Sequence, residues 1–141
     1  MHISTKCSVS IHCLVYINEY ANQKKVTSEL LSLSTGISAV TIRNIMSALK
    51  KDGIISIKPG TGGARVNCPL ADINLYRICK AIEPDFLSKL IGVHSFPSPF
   101  CPVGKNIHKV LDRSYEKVKK DLCVSLQNIT LEDIIRDYHY L

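Results

Sequence analysis

The sequence predicts a mainly α fold, a winged helix-turn-helix with a two-stranded β wing followed by a long C-terminal dimerisation helix. Three observations lead to this prediction. Two short segments of helical apolar spacing flank Gly36, a glycine-rich stretch follows at residues 53–66, and apolar residues recur about every 3.5 positions from 111 to 129. A length of 141 residues suits one domain with an appended helix.

The first half of the chain predicts three helices. Residues 5–20 predict the first, which has mixed burial. Thr27 is the candidate N-cap of the second, and Gly36 ends it as a C-cap glycine. The pattern then repeats, with Ser38 as the N-cap of the third helix and Gly53 as its end. Two short helices joined by a brief turn that contains glycine form a helix-turn-helix.

The third helix has one apolar and one polar side. Its apolar stripe consists of Ile42, Ile45, Met46 and Leu49. With that stripe turned inward, the opposite side presents Val40, Arg43, Asn44, Ser47 and Lys51. The N-terminal part of such a helix enters the major groove of DNA, so we also assign Ser38 and Thr41 to the DNA-binding set.

These side-chain types suit the recognition of bases and phosphates. Arg43 can bind guanine O6 and N7, Asn44 can bind adenine N6 and N7, and Val40 can contact a thymine methyl group. Lys50 and Lys51 are placed to meet phosphate. The alternative is a solvated helix face, but the adjoining wing favours recognition.

A β-hairpin after the third helix completes the winged helix. "IISIK" favours a strand, "PGTGG" a turn and "ARVNC" the returning strand. Gly60 and Gly62 let the tip approach a phosphate backbone or a narrow minor groove, and Lys58 and Arg65 supply charge. A nucleotide-phosphate loop is the alternative, but the run lacks GxxxxGK[S/T] and shows no GxGxxG that opens a helix.

The second half of the chain predicts helices joined by a linker. Residues 70–83 predict a helix, residues 92–104 a loop with three prolines and two glycines, and residues 105–129 the long helix. Thr130 and Asp133 predict a capped final helix. The predicted regions are a DNA-binding domain at 1–84, a Pro-rich linker or sensor loop at 85–104, and the dimerisation helix with the final short helix at 105–141.

Positive charge is concentrated in the first half. Residues 1–68 hold eight Lys/Arg against three Asp/Glu, a net +5, whereas residues 69–141 hold ten against nine, a net +1. A basic first half suits a polyanion such as double-stranded DNA. The chain shows neither an apolar run of membrane length nor a secretory h-region, so we expect a cytoplasmic protein without a membrane partner.

Six cysteines are spread through the chain without a CxxC motif, so we expect reduced thiols and no metal site. Cys101 precedes the long helix, whose N-terminus would lower the pKa of a thiol. Cys7 lies at the start of the first helix, near the expected DNA backbone. Cys101 and Cys7 are the candidates for redox sensing. The residues that fit as small core side chains are Cys13, Cys79 and Cys123.

No residue set in the sequence predicts catalysis. His94 and His108 have no ligand spacing, and neither a Ser-His-Asp set nor paired carboxylates can be argued. An enzyme is therefore the class of protein that we expect least.

The stretch "GISAVTIRNIMSALKKDGIISIKPGTGGARV" resembles the helix-turn-helix and wing of the Rrf-two (Rrf2) family of bacterial transcription regulators. The third helix ends in "LKKDGII", and the wing carries "GTGG" where the family has a "GPGGG" run. The resemblance extends over nearly the whole chain. It implies a homodimer paired through the long helix that binds a palindrome. It also implies that Arg43 and Asn44 touch bases and that Lys58 reaches the minor groove.

The chain departs from the family at the linker. Members that bind an iron–sulfur cluster carry three cysteines there, whereas residues 86–122 contain only Cys101. The resemblance therefore implies the cluster-free branch, with no cofactor. We expect a homodimeric repressor that binds a palindromic operator and responds to a thiol or small-molecule signal. The alternatives are a winged-helix protein-interaction module without DNA binding and an iron–sulfur sensor.

Overall fold

The computed structural model describes residues 3–60 and 62–141, and its mainly helical architecture confirms the predicted fold class. Thr61, in the predicted wing turn, lies outside the described residues, as do Met1 and His2. A short 3₁₀ turn spans Leu70–Asp72. The other elements, in chain order, are α1 (Thr5–Tyr20), α2 (Ser28–Thr35), α3 (Ala39–Lys51), β1 (Ile55–Lys58), β2 (Gly63–Val66), α4 (Leu75–Ile82), α5 (Pro102–Gln127) and α6 (Leu131–His139).

The helix-turn-helix is built by local capping, as the sequence predicts. The Oγ1 atom of Thr27 accepts a hydrogen bond from the N–H of Leu30 at 3.3 Å, which satisfies a free donor at the start of α2. Gly36 ends α2 at φ 74°, a conformation that favours glycine. The Oγ atom of Ser38 accepts from the N–H of Thr41 at 3.3 Å and starts α3.

The main core lies between α1, α3 and the wing. The predicted apolar stripe of α3 is fully buried. It packs with Leu14 and Ile17 of α1, with Ile55 of β1 and with Leu131 of α6. Burial of the stripe fixes the rotation of α3, so its polar side must face away from the core.

The wing is an antiparallel hairpin, and the start of its second strand is joined to the loop before α2. Ser56 pairs with Arg65, and Lys58 pairs with Gly63. The N–H of Ala64 donates to the carbonyl of Val26 at 3.1 Å. A Cβ atom on Gly63 would lie only 2.8 Å from the backbone nitrogen of Val26. This close approach makes the wing and the helix-turn-helix one unit.

Two predicted helix boundaries are wrong. The helix predicted over 70–83 is broken, because the chain forms the 3₁₀ turn and restarts α4 with Asn74 as its N-cap. The break comes from tertiary pairing, since the N–H of Leu131 donates to the carbonyl of Ile73 at 2.7 Å. The long helix begins at Pro102 rather than at residue 105, since proline is favoured at the first helical position.

The C-terminal part of the chain combines a capped helix with a weakly buried one. Thr130 and Asp133 form the predicted capping box at the start of α6. In α5, Leu126 is the one residue that is buried. The four valines at 103, 110, 118 and 124 are 46–69% exposed. No helix within residues 3–60 and 62–141 is long and apolar enough to cross a membrane.

Candidate nucleic-acid interface

The outer side of α3 is an exposed polar surface with one apolar contact point. Arg43, Asn44, Ser47 and Lys51 are all exposed. Val40, at the N-terminal end of the helix, is 62% exposed. The five predicted residues of this side therefore share one surface, which we call the recognition face. Whether they touch DNA stays a prediction.

Arg43 is held in place by α2. Its Nη1 atom donates to Glu29 Oε1 at 3.4 Å and to Ser28 Oγ at 3.5 Å. The Arg43 side chain remains 54% exposed and that of Glu29 70%, so the pair adds little to stability. It does limit the directions in which the guanidinium can point.

Glu29 is ionised when it meets Arg43. Hydrogen bonds from its own backbone N–H and from Ser28, together with the charge of Arg43, hold the pKa of Glu29 below its ordinary value. Because the carboxylate stays charged at neutral pH, a ligand that recruits Arg43 must compete with it.

Ser38 and Thr41 are occupied by the helix start itself. Besides its capping bond, Ser38 Oγ donates to Thr41 Oγ1 at 3.0 Å. Ser38 is exposed and Thr41 is half-buried. Because the two hydroxyls are already hydrogen-bonded to each other, a ligand would have to bind them alongside this hydrogen bond or replace it.

The wing places both of its predicted cations on one side. In an antiparallel hairpin, cross-strand partners and alternate residues share a face, so Ser56, Lys58 and Arg65 lie on the outer face of the wing. Nη1 of Arg65 donates to Asn22 Oδ1 at 2.8 Å, in the loop between α1 and α2. Lys58 is exposed.

The two predicted tip glycines differ in their surroundings. Gly60 has φ 78° and open space around its Cα. A Cβ on Gly62 would collide with the Cβ of Lys58, so the stem of Lys58 lies over Gly62. Glycine is therefore needed at position 60 for the positive φ of the turn, whereas at position 62 it leaves room for the side chain of Lys58.

Two lysines near this surface were not predicted from the sequence. Lys6 of α1 lines a cleft of about 130 Å³ with Thr41 and Asn44 of α3. The stem of Lys25 lies beside Gly63, where β2 begins. The only sequence signal for either was the positive charge of the first half, because their positions depend on how distant segments pack.

The C-terminal end of α3 is fixed by Arg77 of α4. Nε of Arg77 donates to Asp52 Oδ2 at 2.8 Å, and Nη2 donates to the Asp52 carbonyl at 2.9 Å. The hydrogen bond with Asp52 is the first cause that raises the pKa of Arg77. The recognition face is thus anchored at its far end by a permanent cation.

Cys101 has the position that the sequence predicts. It is exposed and is the N-cap of α5. The backbone N–H groups of Gly104 and Val103 lower the pKa of its thiol. A thiolate at this site is favoured by the same free donors that start the helix.

The expected surface position of Cys7 near the DNA is wrong. Its side chain is 3% exposed and packs in a second, smaller core cluster with Cys79, Phe86 and Leu126. Cys13 and Cys79 are buried as predicted, whereas Cys123 is only half-buried.

The two linker-region histidines are brought together, although the sequence shows no ligand spacing between them. The ring of His94 lies 5.4 Å from that of His108 at an interplanar angle of 80°. Nε2 of His108 is 2.8 Å from the carbonyl oxygen of His94, to which it donates. The pair ties the linker to the second turn of α5.

A helix-turn-helix with an outward polar helix and a basic hairpin beside it defines the winged-helix class of DNA-binding fold. The Rrf2 family model, described as an iron-dependent transcriptional regulator, matches residues 3–137, and the chain belongs to the Rrf2 family of transcriptional regulators. This confirms the resemblance drawn from the helix-turn-helix and wing.

Relatives match nearly the full length of the chain. YwnA of Bacillus subtilis (strain 168), provisionally described as an HTH-type transcriptional regulator, is 32% identical over 133 residues, which cover 94% of this chain and 96% of YwnA. The crystal structure of a provisionally assigned transcriptional regulator from Lactobacillus plantarum is 26% identical, with a TM-score of 0.79 over 96% of this chain and 90% of that one. A provisionally assigned DNA-binding protein of known structure is 28% identical, with a TM-score of 0.73 over 92% and 98% of the two chains.

The iron dependence in the family description can be compared with the donor side chains. Within residues 3–60 and 62–141, no group of three or more His, Cys, Asp or Glu side chains is arranged to hold a metal ion. Cys101 is exposed on the linker, whereas Cys7 and Cys79 lie in an internal cluster. The donors of a single chain therefore do not fit an iron centre, which takes four protein ligands in the usual iron–sulfur clusters.

Proposed function

We propose that this Rrf2-family regulator is a cytoplasmic, non-catalytic homodimer that represses transcription by binding a palindromic operator. The recognition face of α3 is the observation that carries the proposal. It is polar, exposed and next to a basic wing, whereas a protein-interaction surface would be more apolar there. Arg43 and Asn44 read bases in the major groove, and Val40 meets a thymine methyl group.

Phosphate contacts surround this reading helix. Lys51 follows the recognition face, Lys58 and Arg65 project from the outer face of the wing, and Lys6 and Lys25 add charge beside them. Each phosphate contact releases counterions, so binding weakens as salt rises. With six to ten contacts, the affinity falls about 10³- to 10⁵-fold between roughly 50 and 200 mM salt.

The homodimer forms through α5. Its apolar residues recur at heptad spacing, and within the monomer none of these four is fully buried: Leu111, Tyr115, Val118 and Leu122. A second copy of the helix would bury them. Two winged helices then face DNA half-sites about one helical turn, ~34–36 Å, apart. Repression follows where such a site overlaps a promoter.

The linker is the proposed sensor segment. Its exposed Cys101 has a lowered pKa and lies at the start of α5, so modification there acts at the junction between the winged helix and the dimer helix. A small ligand bound to the same segment would act at the same junction. We propose that neither signal requires an iron–sulfur cluster. Protein purified without oxygen should therefore be colourless, and cluster absorption in the visible range would contradict this.

The test is selection of binding sites from random-sequence DNA with the full chain at about 150 mM salt, near physiological ionic strength. The expected result is enrichment of a palindrome with half-sites about 10 bp apart. The matched control is the double variant Arg43→Ala/Asn44→Ala, which should select no motif while keeping its circular dichroism spectrum. Enrichment of one unpaired half-site would contradict the dimer, and no enrichment would contradict sequence-specific binding.

A further inference from the structure

The second core cluster joins the start of α1 to α4. Cys7 and Cys79 are 3% and 4% exposed and lie in this cluster with Phe86 and Leu126. Cys13, in the same helix as Cys7, belongs to the main core instead. Two cysteines from distant parts of the chain thus share one small apolar site.

The two thiols also perturb each other. A hydrogen bond with Cys79 is the first cause that raises the pKa of Cys7, followed by burial and by the charges of Cys79 and Glu83. The same hydrogen bond lowers the pKa of Cys79, against the opposing effects of burial and Glu83. Both shifts arise from the same contact, so the sulfur atoms of Cys7 and Cys79 lie beside each other. Two neighbouring sulfurs are what an attacking and a resolving cysteine require.

We propose that Cys7 and Cys79 are a redox pair that closes into an intramolecular disulfide when a hydroperoxide enters the cluster. The thiolate of one cysteine attacks the peroxide, the O–O bond breaks, and an alcohol or water leaves, so that this cysteine becomes a sulfenic acid. The sulfur of the other cysteine then attacks the sulfenic sulfur, the S–O bond breaks, and the thiol proton leaves with hydroxide as water. The sum is two thiols and one hydroperoxide giving one disulfide, one alcohol or water, and one water.

The disulfide would change the DNA-binding surface, an inference that rests on the proposed function. A disulfide bond is about 2.05 Å long, so closure draws the first turn of α1 towards α4. Lys6 precedes Cys7 and lines the cleft with Asn44 and Thr41 of the reading helix. Because Lys6 moves with Cys7, oxidation should weaken operator binding by about five- to 150-fold, the usual range of coupling between sites.

Peptide mapping tests the disulfide directly. The full chain is treated with hydrogen peroxide, free thiols are alkylated, and the protein is digested with trypsin without reduction. The expected product links residues 7–24 to residues 78–80 and disappears with dithiothreitol. Residues 7–24 also contain Cys13, so Cys13→Ser is the matched control that should keep the product. Cys7→Ser and Cys79→Ser should lose it.

Two outcomes would overturn the redox pair. One is complete alkylation of Cys7 and Cys79 after peroxide, and the other is a bond from either residue to a different cysteine, such as Cys101. Both outcomes can be read in the wild-type chain when fragmentation of the linked peptide shows whether Cys7 or Cys13 carries the bond, so the test does not depend on the folding of a variant.

Operator affinity, measured before and after oxidation, separates this inference from the proposed function. Weaker binding that dithiothreitol reverses, and that Cys7→Ser lacks, supports the coupling. An unchanged affinity in protein that carries the disulfide overturns the coupling. If neither state binds any DNA while the linked peptide forms, the proposed function fails and the redox pair stands.

Discussion

The winged-helix region and α5 bury their apolar residues to very different extents. In α3, four apolar residues are buried by contacts within the chain. In α5, twice as long at 26 residues against 13, only Leu126 is buried and four valines are 46–69% exposed. The winged helix buries its apolar side within one chain, whereas α5 has an apolar surface that no residue within 3–60 and 62–141 fully covers. The winged helix buries its apolar residues when the single chain folds, whereas the exposed apolar surface of α5 is suited to association with another molecule.

Breaking the apolar surface of α5 should have the largest effect. Val118→Glu is expected to turn the dimer into a monomer and to weaken operator binding by about 10²-fold or more, because the two half-sites are no longer bound together. Sedimentation equilibrium and fluorescence anisotropy measure the two effects. Lys120→Gln, which changes the charge by the same amount on the opposite side of the helix, should leave both unchanged. A dimeric Val118→Glu protein would show that α5 is not the interface.

Truncations compare the two regions by stability. Ile42→Ala, in the core, should lower the free energy of unfolding by about 2–5 kcal/mol, since it removes buried methylenes and leaves a cavity. Val110→Ala, 61% exposed in α5, should change the monomer's stability by less than about 0.5 kcal/mol. Urea denaturation at a protein concentration below the dimer's dissociation constant gives both values. Equal losses would contradict the contrast between the two regions.

Substitution of Arg43 tests whether the winged-helix region also recognises a particular DNA sequence. Arg43→Ala should cost about 1–3 kcal/mol of binding free energy at one base pair and relax specificity there. Lys51→Ala should weaken all sequences alike and reduce the salt slope by about one phosphate contact. Competition binding with single-base operator variants separates the two. A sequence-selective loss in Lys51→Ala would contradict its phosphate assignment.

Glycine substitutions compare the start of β2, which rests on Val26, with the open turn before it. Gly63→Ala should destabilise the protein by more than the ~1–2 kcal/mol expected from its positive φ alone, because the new Cβ meets the backbone of Val26 at 2.8 Å. Gly60→Ala has a similar φ but open space, so it should lose no more than about 1–2 kcal/mol. Thermal unfolding of the two variants provides the comparison. Equal losses would show that the wing does not rest on Val26.

The smallest expected effect concerns the junction between the two regions. Cys101 should alkylate with an apparent pKa below that of the same thiol in unfolded protein, because the N–H groups at the start of α5 favour its thiolate. The rate of iodoacetamide labelling against pH measures it. Since the folded pKa is the lower one, the ratio of the folded to the unfolded labelling rate should rise as the pH falls through the unfolded pKa and level off below the folded pKa. A folded pKa at or above that value would contradict the capping effect.

The features that local rules control could be predicted from the sequence. The caps at Thr27, Ser38 and Thr130 and the α3 stripe depend on residues within about one helical turn, and all four are found. Two local signals were missed. Asn74 is a typical N-cap residue and could have placed the start of α4. Pro102 could have placed the start of α5, since proline is favoured at the first helical position.

The features that distant residues control could not be predicted. The break before α4 depends on pairing between Ile73 and Leu131. Lys6 reaches the recognition face only because α1 packs beside α3. Cys7 was expected at the surface because its place in the chain says nothing of the α4 surface that covers it. The outer face of α3 could be predicted, but its surroundings could not.

The contact between Gly63 and Val26 has a consequence for how this protein and its relatives can diverge. Where β2 begins, at Gly63, backbone lies against backbone, so a side chain there has no room. At Gly60 the surroundings are open, and chain can be inserted or exchanged without disturbing anything beneath it. Variation among related sequences should therefore gather at the tip. Under the proposed function, new operator preferences could then arise by changing the turn, while the start of β2 that rests on Val26 is inherited unaltered.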